Sequence, residues 1–207
     1  MQPLPLVLVP DNRLRLKSKP VERIDAKLLT FLNALAQSLL TKTDPPGVGL
    51  SAIQVGEPLR LFATYMPQDL SLPLKAWKPE NQEIVFMINP VIKAVTPGGK
   101  TLGGTSEKPY YEGCLSIPKL YGPVYRYYGL SLEYQSFDFK LGSTDIPALS
   151  KHTTKFVDFP ARVIQHELDH LDGILFTDHT LKDDLPLFYD TPEGLEPIDN
   201  PKLEITW

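Results

Sequence analysis

Apolar residues recur at three- and four-residue steps through the segment from Val21 to Lys42, which contains no proline or glycine. This spacing places them on one face of an α-helix, so the segment predicts an amphipathic helix near the N terminus. We expect the helix to end before Pro45 and Pro46, which cannot continue it. The repeating apolar residues are Ile24, Leu28, Leu29, Leu32, Leu35, Leu39 and Leu40.

Three further segments have the patterns of strands. Leu59 to Tyr65 and Ile84 to Lys93 are rich in apolar and β-branched residues and are flanked by prolines. The stretch that separates them, MPQDLSLPLKAWKPENQE, predicts a long loop. From Leu130 to Tyr134 apolar and polar residues alternate, which is the period of a half-buried strand. The phase changes at Phe137, and this predicts a bulge or turn near Gln135.

Residues 157–173, VDFPARVIQHELDHLDG, have the pattern of a second helix. Pro160 suits the first turn of this helix, and Asp158 is a candidate for its N-terminal cap. Gly173 can adopt the left-handed conformation just past the helix end. Strands arranged around such a helix, without regular alternation of strands and helices, predict an α+β fold.

The C-terminal stretch from Asp178 to Trp207 is acidic and contains four prolines. These features predict an extended or partly disordered arm rather than a helix. We therefore expect a single domain over residues 1–177, followed by an acidic, proline-rich arm over residues 178–207. The four prolines are Pro186, Pro192, Pro197 and Pro201.

Length and composition limit the class of protein. A chain of 207 residues with 42% hydrophobic and 22% charged residues can form one sizeable core, and this excludes a disordered or fibrous protein. The 21 prolines are about twice the usual share and predict long ordered loops. The net charge is −4 and the basic residues do not cluster, so nucleic acid is not an expected partner.

Neither export nor membrane insertion is expected. The short apolar run in MQPLPLVLVPDNR is preceded by no positive residue and is interrupted by prolines, so it is neither a signal peptide nor a membrane span. No other stretch approaches the roughly 20 apolar residues that a spanning helix needs. Cys114 is the only cysteine, so no disulfide can form within the chain, and we expect a cytoplasmic protein.

The nonapeptide QHELDHLDG, residues 165–173, carries the strongest candidate chemistry. Helical residues four apart share a face with about 5–6 Å between their β-carbons, so His166 and His170 can direct nitrogens at one metal ion. Glu167 is close enough to exchange a proton with a water at the metal without becoming a ligand. The competing interpretation is a solvated polar helix face. The apolar flanks argue against it, because buried imidazoles and carboxylates need partners.

A third ligand is needed to complete a metal site. His179 is one candidate, but it lies past Gly173 and only nine residues after His170. Cys114, in the upstream segment EGCLSIP, is the stronger candidate. A lone cysteine is more often a small buried hydrophobic residue. Beside a histidine pair, however, a thiolate would complete a Cys-His-His site with one position open for water.

Three motifs together resemble those of the peptide deformylase family. They are GVGLSAIQ at residues 47–54, EGCLS at 112–116 and QHELDHL at 165–171, in the family's order. The resemblance extends from VPDNRLR near the N terminus to about Phe176. It implies an α+β fold in which antiparallel strands wrap around the HExxH helix. It also implies an enzyme that removes the N-formyl group from the N-terminal methionine of newly made peptides and releases formate.

The same resemblance assigns the metal and the proton transfer. It implies that Cys114, His166 and His170 hold one divalent metal, which is Fe²⁺ in the native family form and often Zn²⁺, Ni²⁺ or Co²⁺ in preparations. It implies that Glu167 takes a proton from the attacking water and later delivers it to the leaving amine.

Further residues are assigned to the substrate by resemblance. The side-chain amide of Gln54 and the backbone N–H of Leu115 would donate hydrogen bonds to the oxygen that becomes negative. Val48 and Gly49, with Gly113 across the cleft, would pair with the peptide backbone of an N-formylmethionyl substrate. Taken alone, GVG is a turn after two prolines, and Gln54 alone would be a surface amide.

Two polar residues of the third motif need not touch the metal. Gln165 and Asp169 are expected to orient the histidine ligands, with Arg126 as a partner for Asp169. A solvent-exposed Asp169 is the alternative.

Three features depart from the usual family pattern. Ser51 and Ile53 stand where alanine and often proline are common, and Tyr121 stands where many members have an arginine that helps to bind the peptide. The C-terminal stretch also lacks the basic amphipathic helix by which bacterial members can approach the ribosome. A transient ribosome contact would therefore need another surface.

Two other functions are compatible with a Cys-His-His site. One is a different metallohydrolase that acts on short peptides, and the other is a non-catalytic binding protein that holds a metal. The presence of both Glu167 and Gln54 disfavours the second, because neither is needed merely to hold a metal.

Overall fold

The predicted N-terminal helix is present and spans Ala26–Leu40 (α1) in the computed structural model, which describes residues 2–44, 46–104 and 108–199. The helix begins where it does because the Asp25 side chain accepts a hydrogen bond from the N–H of Leu28 at 2.8 Å, which satisfies a backbone donor that a helix start leaves unpaired. It ends before the two prolines, of which Pro45 lies outside the described residues. Its apolar face packs against the first strands of the main sheet.

The largest sheet contains five antiparallel strands. In their order across the sheet, they are Gly49–Ser51 (β1), Leu61–Pro67 (β2), Gln82–Val95 (β3), Gly129–Ser136 (β8) and Ser150–Val157 (β9), so β1 and β9 lie at its edges. The predicted strands near residues 59–65 and 84–93 correspond to β2 and β3, and two short 3-10 helices, Leu74–Ala76 and Pro79–Asn81, occupy the proline-rich loop between them.

The alternation along β8 is confirmed, since Leu130, Leu132 and Tyr134 are buried and Ser131 and Glu133 are only partly so. The predicted irregularity has two causes. Strand β8 ends at Ser136, and the register shifts on the partner strand β3, where Ile88 pairs with Gln135 but Val91 pairs with Glu133. The extra residue therefore lies on β3, opposite the predicted position.

A second antiparallel sheet consists of Tyr111–Cys114 (β5), Ile117–Pro123 (β6), Phe188–Thr191 (β10) and Gly194–Pro197 (β11). These strands follow one another in the order β11-β10-β6-β5, which makes β5 an edge strand. A two-stranded ribbon completes the sheets and consists of Lys100–Thr101 (β4) and Arg126–Tyr127 (β7).

The second predicted helix spans Asp158–Leu171 (α2) and is mostly buried between the sheets. Pro160 lies in its first turn, and Gly173 has φ +74° just past its end. Gly173 and Ile174 donate backbone hydrogen bonds to the carbonyls two and three residues before the helix end cap, the arrangement of a Schellman motif. A Cβ on Gly173 would lie 2.4 Å from a backbone oxygen of Arg15, so the position also requires glycine sterically.

The expectation that Asp158 caps α2 is wrong. The capping residue is Val157, and no side chain provides a capping bond. Strand β9 continues directly into the helix, and the N–H of Asp158 bonds to the carbonyl of Tyr128 at 2.7 Å. The backbone carbonyl of Tyr128 therefore accepts a hydrogen bond from the helix start, as a capping side chain would otherwise do.

The expectation of an arm without a helix after residue 177 is also wrong. Phe176–Lys182 forms a third helix (α3), and the segment after it forms the β10–β11 hairpin, which pairs with β6. The helix is stabilised by tertiary contacts, because Phe176 is buried and Asp178 pairs with Arg15 at 2.5 Å. Residues 200–207, which include Pro201, lie outside the described residues.

None of the helices in the described ranges has both the length and the hydrophobicity of a membrane span.

Candidate metal centre

The three predicted metal ligands meet in one place. Cys114 lies at the end of β5, and His166 and His170 lie one turn apart on α2. Their candidate ligand atoms all lie within 4.8 Å of one another. The Cys114 Sγ atom is 3.2 Å from Nε2 of His170, and the two imidazole rings are 4.9 Å apart at an interplanar angle of 82°. A single ion could therefore contact all three.

The chemistry of these donors fits a divalent transition metal. Burial raises the pKa of the Cys114 thiol, but the charges and hydrogen bonds of His170 and His166 outweigh burial and bring the pKa to about 5. Sulfur is therefore present as thiolate near neutral pH, which is the form that binds metals. Nδ1 of His166 is hydrogen-bonded to Glu112, so Nε2 is its remaining donor atom. One thiolate with two imidazoles is a donor set typical of zinc and iron.

Glu112 connects the metal ligands to two buried arginines. Its carboxylate accepts two hydrogen bonds from Arg126, both at 2.9 Å, one from Arg162 at 2.8 Å and one from Nδ1 of His166 at 3.0 Å. Burial alone would raise the pKa of the carboxyl, but Arg126 and His166 hold it well below its usual value. Glu112 is thus a buried anion that fixes the orientation of the His166 ring.

No role for Glu112 was predicted from the sequence, although Glu112 begins the second motif, EGCLS. One signal was available, because Glu112 lies two residues before Cys114 and such residues share a face of a strand. The arginines that balance its charge are 14 and 50 residues away, and no local pattern connects them with the motif.

The predicted pair of Asp169 and Arg126 is confirmed, with 2.5 Å between Oδ2 and Nη1. Asp169 is largely buried rather than solvent-exposed. Nε2 of His179 donates a hydrogen bond to the same carboxylate oxygen at 2.8 Å, so this alternative third ligand belongs to the network around Asp169. Gln165 differs from the expectation that it orients a ligand, because its amide bonds to the backbone of Tyr127 and thereby joins β7 to α2.

Glu167 lies beside the three ligands and is 3% exposed. Its Oε2 atom accepts a hydrogen bond from the Ser51 hydroxyl at 2.6 Å. Its Oε1 atom lies against Gly49, where a Cβ would approach it to 2.4 Å. Burial raises the pKa of the carboxyl above its usual value, although the charges of His166 and His170 oppose the rise. A carboxyl with a raised pKa is suited to taking up and releasing a proton.

Gln54 is 1% exposed, which excludes the alternative of a surface amide. Its Oε1 atom accepts a hydrogen bond from the N–H of Ser51 at 2.8 Å. This bond fixes which end of the amide faces the cluster, and Nε2 lies 3.4 Å from the Cys114 sulfur and 3.2 Å from the Ser116 hydroxyl. Leu115 follows Cys114 in the turn between β5 and β6. Gln54 therefore contacts a candidate metal ligand, and Leu115 directly follows that ligand in the chain.

The residues expected to contact substrate lie on two sheet edges. Val48 immediately precedes β1 and Gly49 begins it, whereas Gly113 lies in β5. Both β1 and β5 are terminal strands of their sheets within the described residues. The Tyr121 ring covers Gly113, since a Cβ there would lie 2.5 Å from the ring. The small size of Gly113 thus makes room for Tyr121.

Residues 3–184 match the family model described as polypeptide deformylase. The chain is similar to a peptide deformylase of Mesorhizobium japonicum, with 38% identity over 86% of this chain and 84% of that protein. It is also similar to a peptide deformylase of Brucella suis, with 37% identity over 86% and 85% of the two proteins. Among solved structures, a peptide deformylase from Thermotoga maritima aligns with a TM-score of 0.64 and 26% identity over 86% of this chain and 98% of that one.

Proposed function

The chain belongs to the peptide deformylase family, and we propose which of its residues bind the metal, transfer the proton and stabilise the formyl oxygen during deformylation. A peptide deformylase hydrolyses the N-formyl group of peptides that begin with methionine and releases formate. The observation that carries the proposal is the convergence of Cys114, His166 and His170 beside the buried carboxylate of Glu167 and the amide of Gln54. A site that only held a metal would need neither of the last two.

Cys114, His166 and His170 are the proposed ligands of one divalent metal, Fe²⁺ in the cell, with Zn²⁺, Ni²⁺ or Co²⁺ able to replace it. The mixed sulfur and nitrogen donors suit each of these ions, so the choice of Fe²⁺ rests on the family resemblance. When bound, such an ion acts as a Lewis acid that lowers the pKa of water and polarises a carbonyl oxygen.

Glu167 is the proposed general base and acid. It receives the proton of the attacking water and later transfers it to the nitrogen of the leaving amine, which restores the carboxylate. Oε2 is occupied by the Ser51 hydroxyl, so Oε1 is the oxygen that carries the proton. The low exposure of the side chain limits competition from bulk water.

Gln54 and Leu115 are the proposed donors to the formyl oxygen. As water adds to the formyl carbon, this oxygen gains negative charge and needs hydrogen bonds that are already in place. The Gln54 amide is fixed by its bond to Ser51, and the Leu115 N–H belongs to the same turn as the ligand Cys114. The Gln54 amide is thus held beside a proposed metal ligand before the reaction begins.

The peptide is proposed to bind between the two sheet edges. Main-chain groups of the substrate would pair with Val48 and Gly49 on one side and with Gly113 on the other, as an added strand. The lone cysteine is in keeping with a reducing compartment, and we place the reaction in the cytoplasm. Contact with the ribosome would be transient and would use a surface other than a basic C-terminal helix.

The experiment that tests this function is formate release from formyl-Met-Ala-Ser by the purified, metal-loaded protein. We expect turnover of the formylated peptide and no hydrolysis of Met-Ala-Ser. Cleavage of the free-amine peptide alone would indicate a short-peptide hydrolase. A protein that retains one metal ion per chain but releases no formate would indicate a binding protein.

A further inference from the structure

We propose that Ser51 is a positioning residue that holds both side chains on which deformylation depends, Glu167 through its hydroxyl and Gln54 through its backbone N–H. This inference rests on the proposed roles of Glu167 and Gln54. Ser51 is assigned neither to the metal ligands nor to the proposed peptide contacts, so its effect on the reaction would pass through those two residues.

The hydroxyl contact is short and buried. Ser51 is 0% exposed and ends strand β1, and its Oγ atom lies 2.6 Å from Oε2 and 3.1 Å from the backbone oxygen of Glu167. A serine hydroxyl has a single hydrogen to donate. The carboxylate oxygen is both closer and charged, and charge-assisted bonds of this kind are the stronger ones. The hydroxyl therefore donates to Oε2 and fixes the rotation of the carboxylate.

Gly49 limits the carboxylate on its other side. Gly49 and Ser51 are two residues apart in β1, so they share one face of the strand. A Cβ on Gly49 would lie only 2.4 Å from Oε1 of Glu167. The carboxylate thus lies against a short strand, with one oxygen hydrogen-bonded to Ser51 and the other beside Gly49. This leaves Oε1 as the oxygen available for proton transfer.

The backbone contact to Gln54 is independent of the serine side chain. The N–H of Ser51 donates to Oε1 of Gln54 at 2.8 Å, which directs Nε2 toward the Cys114 sulfur. Replacing the side chain preserves this bond because the N–H remains. The two contacts of Ser51 can therefore be separated, because the hydroxyl bonds to the Glu167 carboxylate and the backbone N–H bonds to the Gln54 side chain.

The first test is Ser51→Ala in the metal-loaded enzyme. Loss of one hydrogen bond to a charged group predicts a fall in kcat of about 10- to 100-fold, while KM changes by less than about threefold because no substrate contact is lost. Metal content should match that of wild type, whereas the thermal midpoint should fall by a few degrees because one buried hydrogen bond is lost. Ser38→Ala is the matched control, since Ser38 is also 0% exposed but lies in α1 and bonds to Ala34. It should leave kcat unchanged.

A double-mutant cycle separates positioning from a general structural effect. If the hydroxyl acts through the carboxylate, Ser51→Ala should cause no further loss of the residual kcat of Glu167→Ala. An equal loss in both backgrounds, or wild-type kcat in Ser51→Ala, would overturn the inference. Absence of formate release by wild type would instead refute the proposed function, and the inference with it.

A readout that does not depend on activity is the ¹³C resonance of the Glu167 carboxyl carbon in the metal-free protein, assigned by its loss in Glu167→Ala. Removal of the hydroxyl should shift this resonance, and Ser38→Ala should not. An unchanged resonance in Ser51→Ala would show that the contact is not made in solution and would contradict the inference.

Discussion

Nδ1 of His166 donates a hydrogen bond to the Glu112 carboxylate at 3.0 Å. This bond fixes the tautomer of the imidazole, so that its Nε2 lone pair is available to a metal. The same carboxylate balances the charges of Arg126 and Arg162 in the interior. One buried anion therefore links the metal centre to the stability of the fold.

Glu112→Gln should damage both metal binding and stability. Loss of a partner to a ligand histidine typically weakens metal affinity about 10- to 100-fold. Removing one charge from a buried ionic network costs about 3–5 kcal/mol in the free energy of unfolding, because the arginines remain buried with less compensation. Competition with a chelator and denaturant unfolding measure the two effects.

The control for this prediction is Glu133→Gln. Glu133 is partly exposed and pairs with Lys93 and Lys151 at the surface, so its loss should cost less than about 1 kcal/mol. Equal effects of the two substitutions would contradict the role given to Glu112.

Cys114→Ala should abolish metal retention and, with it, formate release. The thiolate is the only charged donor among the three proposed ligands, and a site with two imidazoles alone is incomplete. Metal content after gel filtration and formate release from formyl-Met-Ala-Ser measure the outcome. A variant that retained stoichiometric metal at wild-type affinity would exclude Cys114 as a ligand.

Glu167→Ala should retain the metal but lose activity. Without the proposed general base and acid, kcat should fall about 10²- to 10⁴-fold, whereas the three proposed ligands are unchanged. The same metal and formate assays apply, and Cys114→Ala serves as the contrasting variant that loses both. Wild-type turnover in Glu167→Ala would require another proton acceptor.

Gly49→Ala should lower kcat because the new methyl group would lie 2.4 Å from Oε1 of Glu167, which is closer than van der Waals contact allows. The carboxylate would have to move, and small misplacements of a reacting group are costly to the rate. Gly113→Ala is the comparison, since its methyl group would instead meet the Tyr121 ring. We expect Gly113→Ala to raise KM more than it lowers kcat. Identical kinetic profiles of the two variants would contradict this assignment.

The sequence predicted the main parts of the site because each motif is local. The four-residue spacing of His166 and His170 is fixed by helix geometry, and the apolar repeats that predict α1 and α2 arise from the same periodicity. The α+β fold followed from these helices and the alternating strand around residues 130–134. Cys114 was the stronger candidate for the third ligand, the motif resemblance implied the same residue, and the structure places it beside both histidines.

The parts that sequence reasoning missed depend on distant contacts. Helix α3 was not expected, and its pairing of Asp178 with Arg15 spans 163 residues. The hydroxyl of Ser51 meets Glu167 across 116 residues, so the sequence showed Ser51 only as a departure from a motif. The acidic, proline-rich composition of the C-terminal stretch does not show whether tertiary contacts stabilise a helix there.

Strands β1 and β5 each end a sheet, and the proposed binding mode uses their open edges. Amide and carbonyl groups are the same in every residue except proline, so recognition through them does not distinguish one polypeptide from another. An enzyme that binds its substrates through main-chain groups can therefore accept peptides of many different sequences in a single cleft.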